Sequence, residues 1–393
     1  LTIVLTGGGS GGHITPILAI AAALKHQDPE VKLIYIGQKG DKFAELAVKD
    51  PNVDKVYSIY AGKFRRFHGE GLKQLLDLPT LYKNIRDLFY VLIGIMQSWH
   101  LTKEIDPDIV FSRGGYVSVP VSLGAHLNQI PYITHDSDPI PSLANRMIGR
   151  WAKVHAVALP KDIYPYKQDK TVTTGIPINK LFVKVDEAKQ QEYRKELSVP
   201  EQAKMLFVIG GGLGSQTVNK AICEIIPHLI RQHKDLYVFH VAGNKNEDYV
   251  KGEYKHNLSE EEATRVKAFG YIENVHRYSG AADVIITRAG ATNLAEFAAQ
   301  GKACIVIPSP FLTGGHQLKS AEFLDNKEAA IVFNESDLTL NANKLAKAIN
   351  DLLANQDMRK ELSINLADFA RPNATKDIAD LIIKNAKDEA AKE

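Results

Sequence analysis

Thr2-Ile3-Val4-Leu5-Thr6 runs straight into Gly7-Gly8-Gly9-Ser10-Gly11-Gly12-His13, with Pro16 close behind in the first turn of a helical pattern. A β-branched run that ends in glycines and resumes as a helix reads as strand, tight turn, helix. The same arrangement returns at Met205 to Ile209, followed by Gly210-Gly211-Gly212-Leu213-Gly214-Ser215. Around the first start lie KLIYIG, KVYSIY, IVFS, PYITH and VHAVA; around the second lie LYVFHVAG, RVKAFGYI, DVIITRAG and ACIVIPSP, each set alternating with helical stretches. Such alternation predicts α/β architecture with parallel sheets: two Rossmann-like, doubly wound domains facing a cleft. The expected boundaries are 1–168 and 169–370. A charged helix over Lys376 to Lys392 follows, with Ile378, Leu381, Ile382 and Ala386 on one face, and its uses are packing back on the N-terminal domain or lying on the surface.

The 393 residues exceed a usual single core, and 45% hydrophobic with 24% charged residues excludes a disordered or fibrous chain. A net charge of +2 leaves no global field for nucleic acid, which is not expected as a partner. Cys223 and Cys304 offer neither a disulfide framework nor zinc spacing and read as buried thiols. No secretory signal is expected from Leu1 to Leu5. The most apolar window, Leu88 to Met96, is about half the roughly 20 residues needed to span a bilayer.

Glycine turns before helix N-termini bring backbone N–H groups and the positive end of the helix dipole to an anion. Gly7, Gly9 and Gly12 satisfy the dinucleotide spacing, but Ile36-Gly37-Gln38 lacks the ribose-binding acid, and no lysine follows as a nucleoside-triphosphate loop requires. A phosphate or a developing oxyanion remains the natural guest. His13 ends the loop as a candidate base, or as a structural histidine. After Val284 to Thr287 comes Arg288-Ala289-Gly290-Ala291-Thr292-Asn293-Leu294-Ala295-Glu296, where Gly290 turns into a helix able to hold phosphate. Glu296 can accept two hydrogen bonds from a ribose diol; the plainer reading is a solvated helical carboxylate. Gly314-Gly315-His316-Gln317 and His135-Asp136-Ser137-Asp138 both follow strands on the ligand-binding edge. Asp106-Pro107-Asp108 has metal-binding spacing, yet it precedes its strand and reads as an entry turn.

Together with GKFRRF, SRGGYVSVP, HDSDPIPSLAN and ADVIITRAGATNLAEF, these motifs resemble the MurG-type N-acetylglucosaminyltransferases of peptidoglycan and cell-wall synthesis, from Leu1 to about Ala370. The resemblance implies a GT-B fold and inverting transfer of N-acetylglucosamine from UDP-N-acetylglucosamine to undecaprenyl-linked lipid I. No cofactor or metal is obligatory, and the place is the cytoplasmic side of the cell membrane, peripherally bound. It implies an acceptor- and membrane-binding N-terminal domain and a UDP-sugar-binding C-terminal one. Ser10, Gly11 and Gly12 would lie near donor sugar and diphosphate, and His13 near the acceptor hydroxyl. Ile272 would offer its backbone to uracil, Ala291, Thr292, Asn293, Leu294, Ala295 and Glu296 would hold diphosphate and ribose, and Gln317 the sugar. Asp138, Gly212 and Asn179 fall at donor-contacting positions where Asn, Ser and Arg are commoner, and loss of the arginine removes a cation from the diphosphate.

Between Lys63 and Asp87 six basic residues oppose three acidic ones and alternate with apolar side chains, Phe64, Arg65, Arg66 and Phe67 leading. That pattern suits an anionic membrane surface, or else a buried helix with snorkelling lysines. Two other functions fit the same motifs: a GT-B glycolipid synthase moving a hexose to diacylglycerol, and a non-catalytic UDP-sugar-binding protein.

Overall fold

A computed structural model describes residues 1–8, 11–41, 44–65, 77–212, 214–310, 315–340 and 342–390, with backbone alone at 11–13, 339–340 and 389–390. Ser10, Arg66 and Phe67 lie outside the described residues, as do the side chain of His13 and residues 66–76 of the basic segment.

The chain forms two compact units, 1–180 with 311–316 and 371–393, and 181–310 with 317–370. The first contains β1 (Thr2–Thr6), α1 (Gly11–Gln27), β2 (Lys32–Gln38), α2 (Ala44–Lys49), β3 (Lys55–Ile59), α3 (Leu78–Ile105), β4 (Ile109–Ser112), α4 (Ser118–Leu127), β5 (Tyr132–Asp136), α5 (Leu143–Ile148), β6 (Val154–Val157) and β7 (Thr171–Thr173). The second contains α6 (Glu187–Glu196), β8 (Lys204–Ile209), α7 (Gln216–Gln232), β9 (Leu236–Val241), α8 (Glu247–Asn257), α9 (Glu260–Ala263), β10 (Val266–Phe269), α10 (Val275–Ala281), β11 (Val284–Thr287), α11 (Ala291–Gln300), β12 (Ala303–Val306), α12 (His316–Asp325, from Gln317 onward), β13 (Ile331–Val332), α13 (Glu335–Leu340), α14 (Ala342–Ala354) and α15 (Gln356–Ala367). A last helix, α16 (Ala374–Ala390), belongs to the first unit.

Both sheets are wholly parallel, in the orders β3-β2-β1-β4-β5-β6-β7 and β10-β9-β8-β11-β12-β13. The central strands bury both faces, which is why their runs are continuously apolar, whereas the edge strands β3, β7, β10 and β13 are only partly covered. Ile3 and Leu5 of β1 face a core shared with α1 and with Ile378, Ala379, Ile382 and Ala386 of α16, whereas Val4 faces Ile34, Val110 and Val121. In the second unit Leu206 and Val208 face the α7 side, and Met205, Phe207 and Ile209 the other.

Several expectations need correction. β7 completes the first sheet, so that unit runs past residue 168 to Lys180. α1 starts at Gly11 inside the glycine loop, which moves Pro16 from the first turn to the helix interior. β5 continues through His135 and Asp136, burying both and leaving only Ser137 and Asp138 to the loop. Asp108 accepts from Thr2 N at 2.7 Å and Asp106 closes α3 in the left-handed conformation, in agreement with an entry turn.

The 28 residues of α3, which periodicity had left unassigned, are inverted in polarity. Its buried side is mostly small or polar, with Thr80, Asp87, Gly94, Ser98 and Thr102 beside a single buried valine, Val91, and α4 packs closely against it. A Cβ on Gly124 of α4 would lie 2.6 Å from Ser98 Cβ, so only glycine permits that approach. The opposite side exposes Leu78, Tyr82, Ile85, Phe89, Leu92, Met96 and Trp99 to solvent, a stripe at alternating spacings of three and four. The Leu88 to Met96 window is therefore largely surface.

Candidate active site

In each sheet the strand order reverses beside the first strand of its unit, at β1/β4 and at β8/β11, and ligands of open parallel sheets bind beyond such a switch point. The glycine loops therefore occupy the positions that topology reserves for a ligand.

In the second unit the loop after β8 leads into α7, whose N-cap Ser215 accepts from Val218 N. Arg288, just past β11, reaches across the switch and donates to Ser215 Oγ, to Ile307 O at 3.1 Å and to Glu335 Oε2 at 2.8 Å. Arg288 and Glu335 are both buried, so this ion pair ties the ends of β11 and β12 to the start of α13. The sequence reading missed Glu335, since no local signal pairs residues 47 positions apart. A Cβ on Gly212 would meet nothing within 4 Å and its φ is not positive, so the serine commoner at this position has room.

Gly290 begins α11 without any side-chain cap, which leaves the N–H groups of the first turn open to an anion. Glu296 stands in the second turn, half-buried, and makes no hydrogen bond among the described residues. Burial pushes its carboxyl up to about 8 from 4.5. A raised carboxyl favours folding fully below its unfolded value and loses that contribution as pH climbs through about 8. Glu296→Gln is accordingly expected to raise Tm over wild type at pH 8, by about 2–4 °C per kcal/mol relieved, with little difference at pH 5. Parallel thermal melts at the two pH values check this; a constant offset would show that ionisation is not the cause.

Ile272 has a buried side chain and a main chain free of hydrogen bonds among the described residues, as a peptide awaiting a ligand would be. Gln317 turns its Oε1 to Ser309 N at 2.8 Å, which commits the carbonyl and leaves the amide N–H groups as donors.

The first unit carries Asp138 and Asn179; Asn179 is exposed beyond β7, next to Ile178, whose carbonyl accepts from Thr375. Arg113, after β4, is fully buried, and burial lowers its guanidinium to about 10 against the opposing pull of Asp138 and Asp136. Asp136 accepts from Ser142 N, Asn145 Nδ2 and Tyr166 Oη, and His135 bonds Gly175 O through Nε2 at 2.8 Å. Burial pushes the Asp138 carboxyl up. Among the described sequence-derived site residues only Asp138 belongs to this cluster. Arg113 was given no role, and His135, expected in a loop on the ligand-binding edge, is instead buried within β5, since such burial depends on neighbouring strands. Among the described residues no group of His, Cys, Asp and Glu could hold a metal ion, and both cysteines are buried and free.

Two parallel Rossmann-like units, each with a glycine-rich loop at its switch point, define the architecture of the two-domain sugar-transfer and sugar-nucleotide enzymes. The family model "Glycosyltransferase family 28 N-terminal domain" matches residues 3–157, and "Glycosyltransferase family 28 C-terminal domain" matches 205–382. A relative from Thermodesulfovibrio yellowstonii, named UDP-N-acetylglucosamine--N-acetylmuramyl-(pentapeptide) pyrophosphoryl-undecaprenol N-acetylglucosamine transferase, is 32% identical over 97% of this chain and 98% of its own. One of the same name from Clostridium perfringens strain 13 is 33% identical over 98% of each. The crystal structure of Acinetobacter baumannii MurG matches with a TM-score of 0.71 and 26% identity, covering 98% of this chain and 99% of that one. The chain belongs to glycosyltransferase family 28, among the MurG-type N-acetylglucosaminyltransferases, and its fold is GT-B.

Proposed function

We propose that the protein transfers N-acetylglucosamine from UDP-N-acetylglucosamine to undecaprenyl-linked lipid I with inversion at the anomeric carbon, forming lipid II for peptidoglycan synthesis. The acceptor hydroxyl attacks the anomeric carbon from the face opposite UDP. One carbon–oxygen bond forms as the bond to the diphosphate breaks, and the hydroxyl proton passes to His13. The open N-terminus of α11 receives the charge building on the departing diphosphate. Glu296 accepts from the ribose diol, the Ile272 main chain faces uracil, and Gln317 donates to the sugar; Ser10, Gly11, Gly12, Asp138, Asn179 and Gly212 complete the donor contacts.

The observation that carries this reading is α11, whose uncapped first turn and unpartnered carboxylate match the two ends of a nucleoside diphosphate. UDP release from UDP-N-acetylglucosamine, measured with and without a lipid I analogue, tests it. Release that requires the analogue is the expected result; donor binding without release would indicate a binding protein, and release with diacylglycerol a glycolipid synthase. Glu296→Ala should raise the donor KM about tenfold, since the two hydrogen bonds to the diol contribute roughly 0.5–1.5 kcal/mol each. An unchanged donor KM would remove Glu296 from the ribose.

The acceptor's lipid stays in the bilayer, and among the described residues no helix is long and apolar enough to cross one. The exposed stripe of α3 supports peripheral binding at the cytoplasmic face, with Lys83 exposed beside it. Phe64 is also exposed. Arg65 and Arg86 have a different task, both pairing with the buried Asp87 at 2.7 Å while the Arg65 main chain bonds Asn84, so these charges anchor the N-terminal half of α3. The informative variant is thus Phe89→Glu with Leu92→Glu. Burying such side chains is worth about 1.5–3 kcal/mol each. Sedimentation with anionic vesicles should weaken at least about tenfold, while turnover of a short water-soluble acceptor stays near wild type. Undiminished sedimentation would move the membrane surface elsewhere.

A further inference from the structure

The second glycine loop rests on a single main-chain carbonyl, that of Ala242 at the end of β9. Gly214 has φ +74°, and a Cβ there would fall 1.8 Å from Ala242 O, so the loop touches that carbonyl with bare backbone. The Ala242 peptide is held from both sides: its N–H donates to Phe269 O at 2.8 Å, and its carbonyl accepts from Asn219 Nδ2 at 2.9 Å and Asn246 Nδ2 at 3.1 Å. Asn219 lies in α7, five residues beyond Gly214, and is fully buried.

Behind Asn219 stands a chain of groups with one possible direction of donation. Because Asn219 Nδ2 donates to Ala242 O, its Oδ1 must accept from His240 Nε2 at 3.0 Å. His240 Nδ1 is then the acceptor for Tyr254 Oη at 2.9 Å, and the Tyr254 hydroxyl in turn meets the Cys223 thiol. Burial keeps His240 neutral, lowered to about 3, so its tautomer is set by its partners rather than by pH. The side-chain nitrogen and oxygen atoms of Asn219, His240 and Tyr254 each have a partner, and such a network specifies one geometry and resists alternatives.

We propose that Asn219, oriented by His240, is a positioning residue that sets the second glycine loop for the donor's diphosphate. This rests on the reading that the second unit binds the UDP-sugar. Asn219→Asp keeps the shape but puts a carboxylate against the Ala242 carbonyl, and His240→Leu removes the donor that orients Asn219. His240→Gln places an amide N–H close to where Nε2 stood. Isothermal titration with UDP, together with steady-state kinetics, separates the alternatives. Asn219→Asp and His240→Leu should weaken UDP binding and raise the donor KM about tenfold or more, with acceptor KM and kcat at saturating donor within about twofold. His240→Gln should restore wild-type values. Faster amide exchange at Gly214 to Gln216 in the two impaired variants gives a readout independent of ligand. Unchanged UDP affinity in both, or His240→Gln as impaired as His240→Leu, would overturn the inference. Failure of wild type to bind UDP would instead overturn the donor-site reading.

Discussion

His13→Ala is expected to lower kcat by about 10²-fold or more and to leave UDP affinity within about twofold. A positioned base contributes typically 10²–10⁴-fold, because an alcohol cannot attack without shedding its proton as the new bond forms. His13 is the third residue of α1, in the helix that opens from the loop after β1 at the β1/β4 switch. Donor groups assigned to the second unit do not involve it, so loss of the imidazole should fall on the transition state alone, with kcat and kcat/KM declining together. Equal loss of UDP affinity and of rate would make His13 a loop residue rather than a base.

Glu335→Ala should destabilise the second unit by about 3–5 kcal/mol, the effect of leaving a buried cation without its partner. That corresponds to a fall in Tm of roughly 6–20 °C for a unit of this size. Arg288 would keep Ile307 O and Ser215 Oγ but lose its counter-charge in a place that water does not reach. Because the same guanidinium holds the N-cap of α7, UDP affinity should fall as well. Urea or thermal unfolding monitored beside UDP titration checks both; Glu335→Gln, which retains a hydrogen-bonding group, should lose less. Unaltered stability in the alanine variant would mean that the pair contributes nothing to the fold.

What could be read from the chain was local. β-branched runs, glycine turns and helical periods lie within about a dozen residues of one another, and each is a preference of backbone and neighbouring side chains. Hence β1 matches its expected range, β8 begins only one residue early, and the doubly wound pattern stands. The glycine loop around Gly212, the helix start at Gly290 and the loop before Gln317 were legible for the same reason, as motifs pinned to strand ends, whereas Ile272 was named only through the family resemblance. Arg113, Glu335 and the chain from Cys223 to Ala242 were not, because each depends on partners brought together by the sheet. α3 shows the difference most plainly: its sequence is apolar enough for a core helix, yet the close approach of α4 at Gly124 selects the small, polar side for burial and turns the large residues outward. α16 shows the converse. Its apolar face was evident, but only folding could bring it onto Ile3, Leu5 and α1 some 370 residues upstream, since any exposed apolar surface of the right shape satisfies such a face equally well.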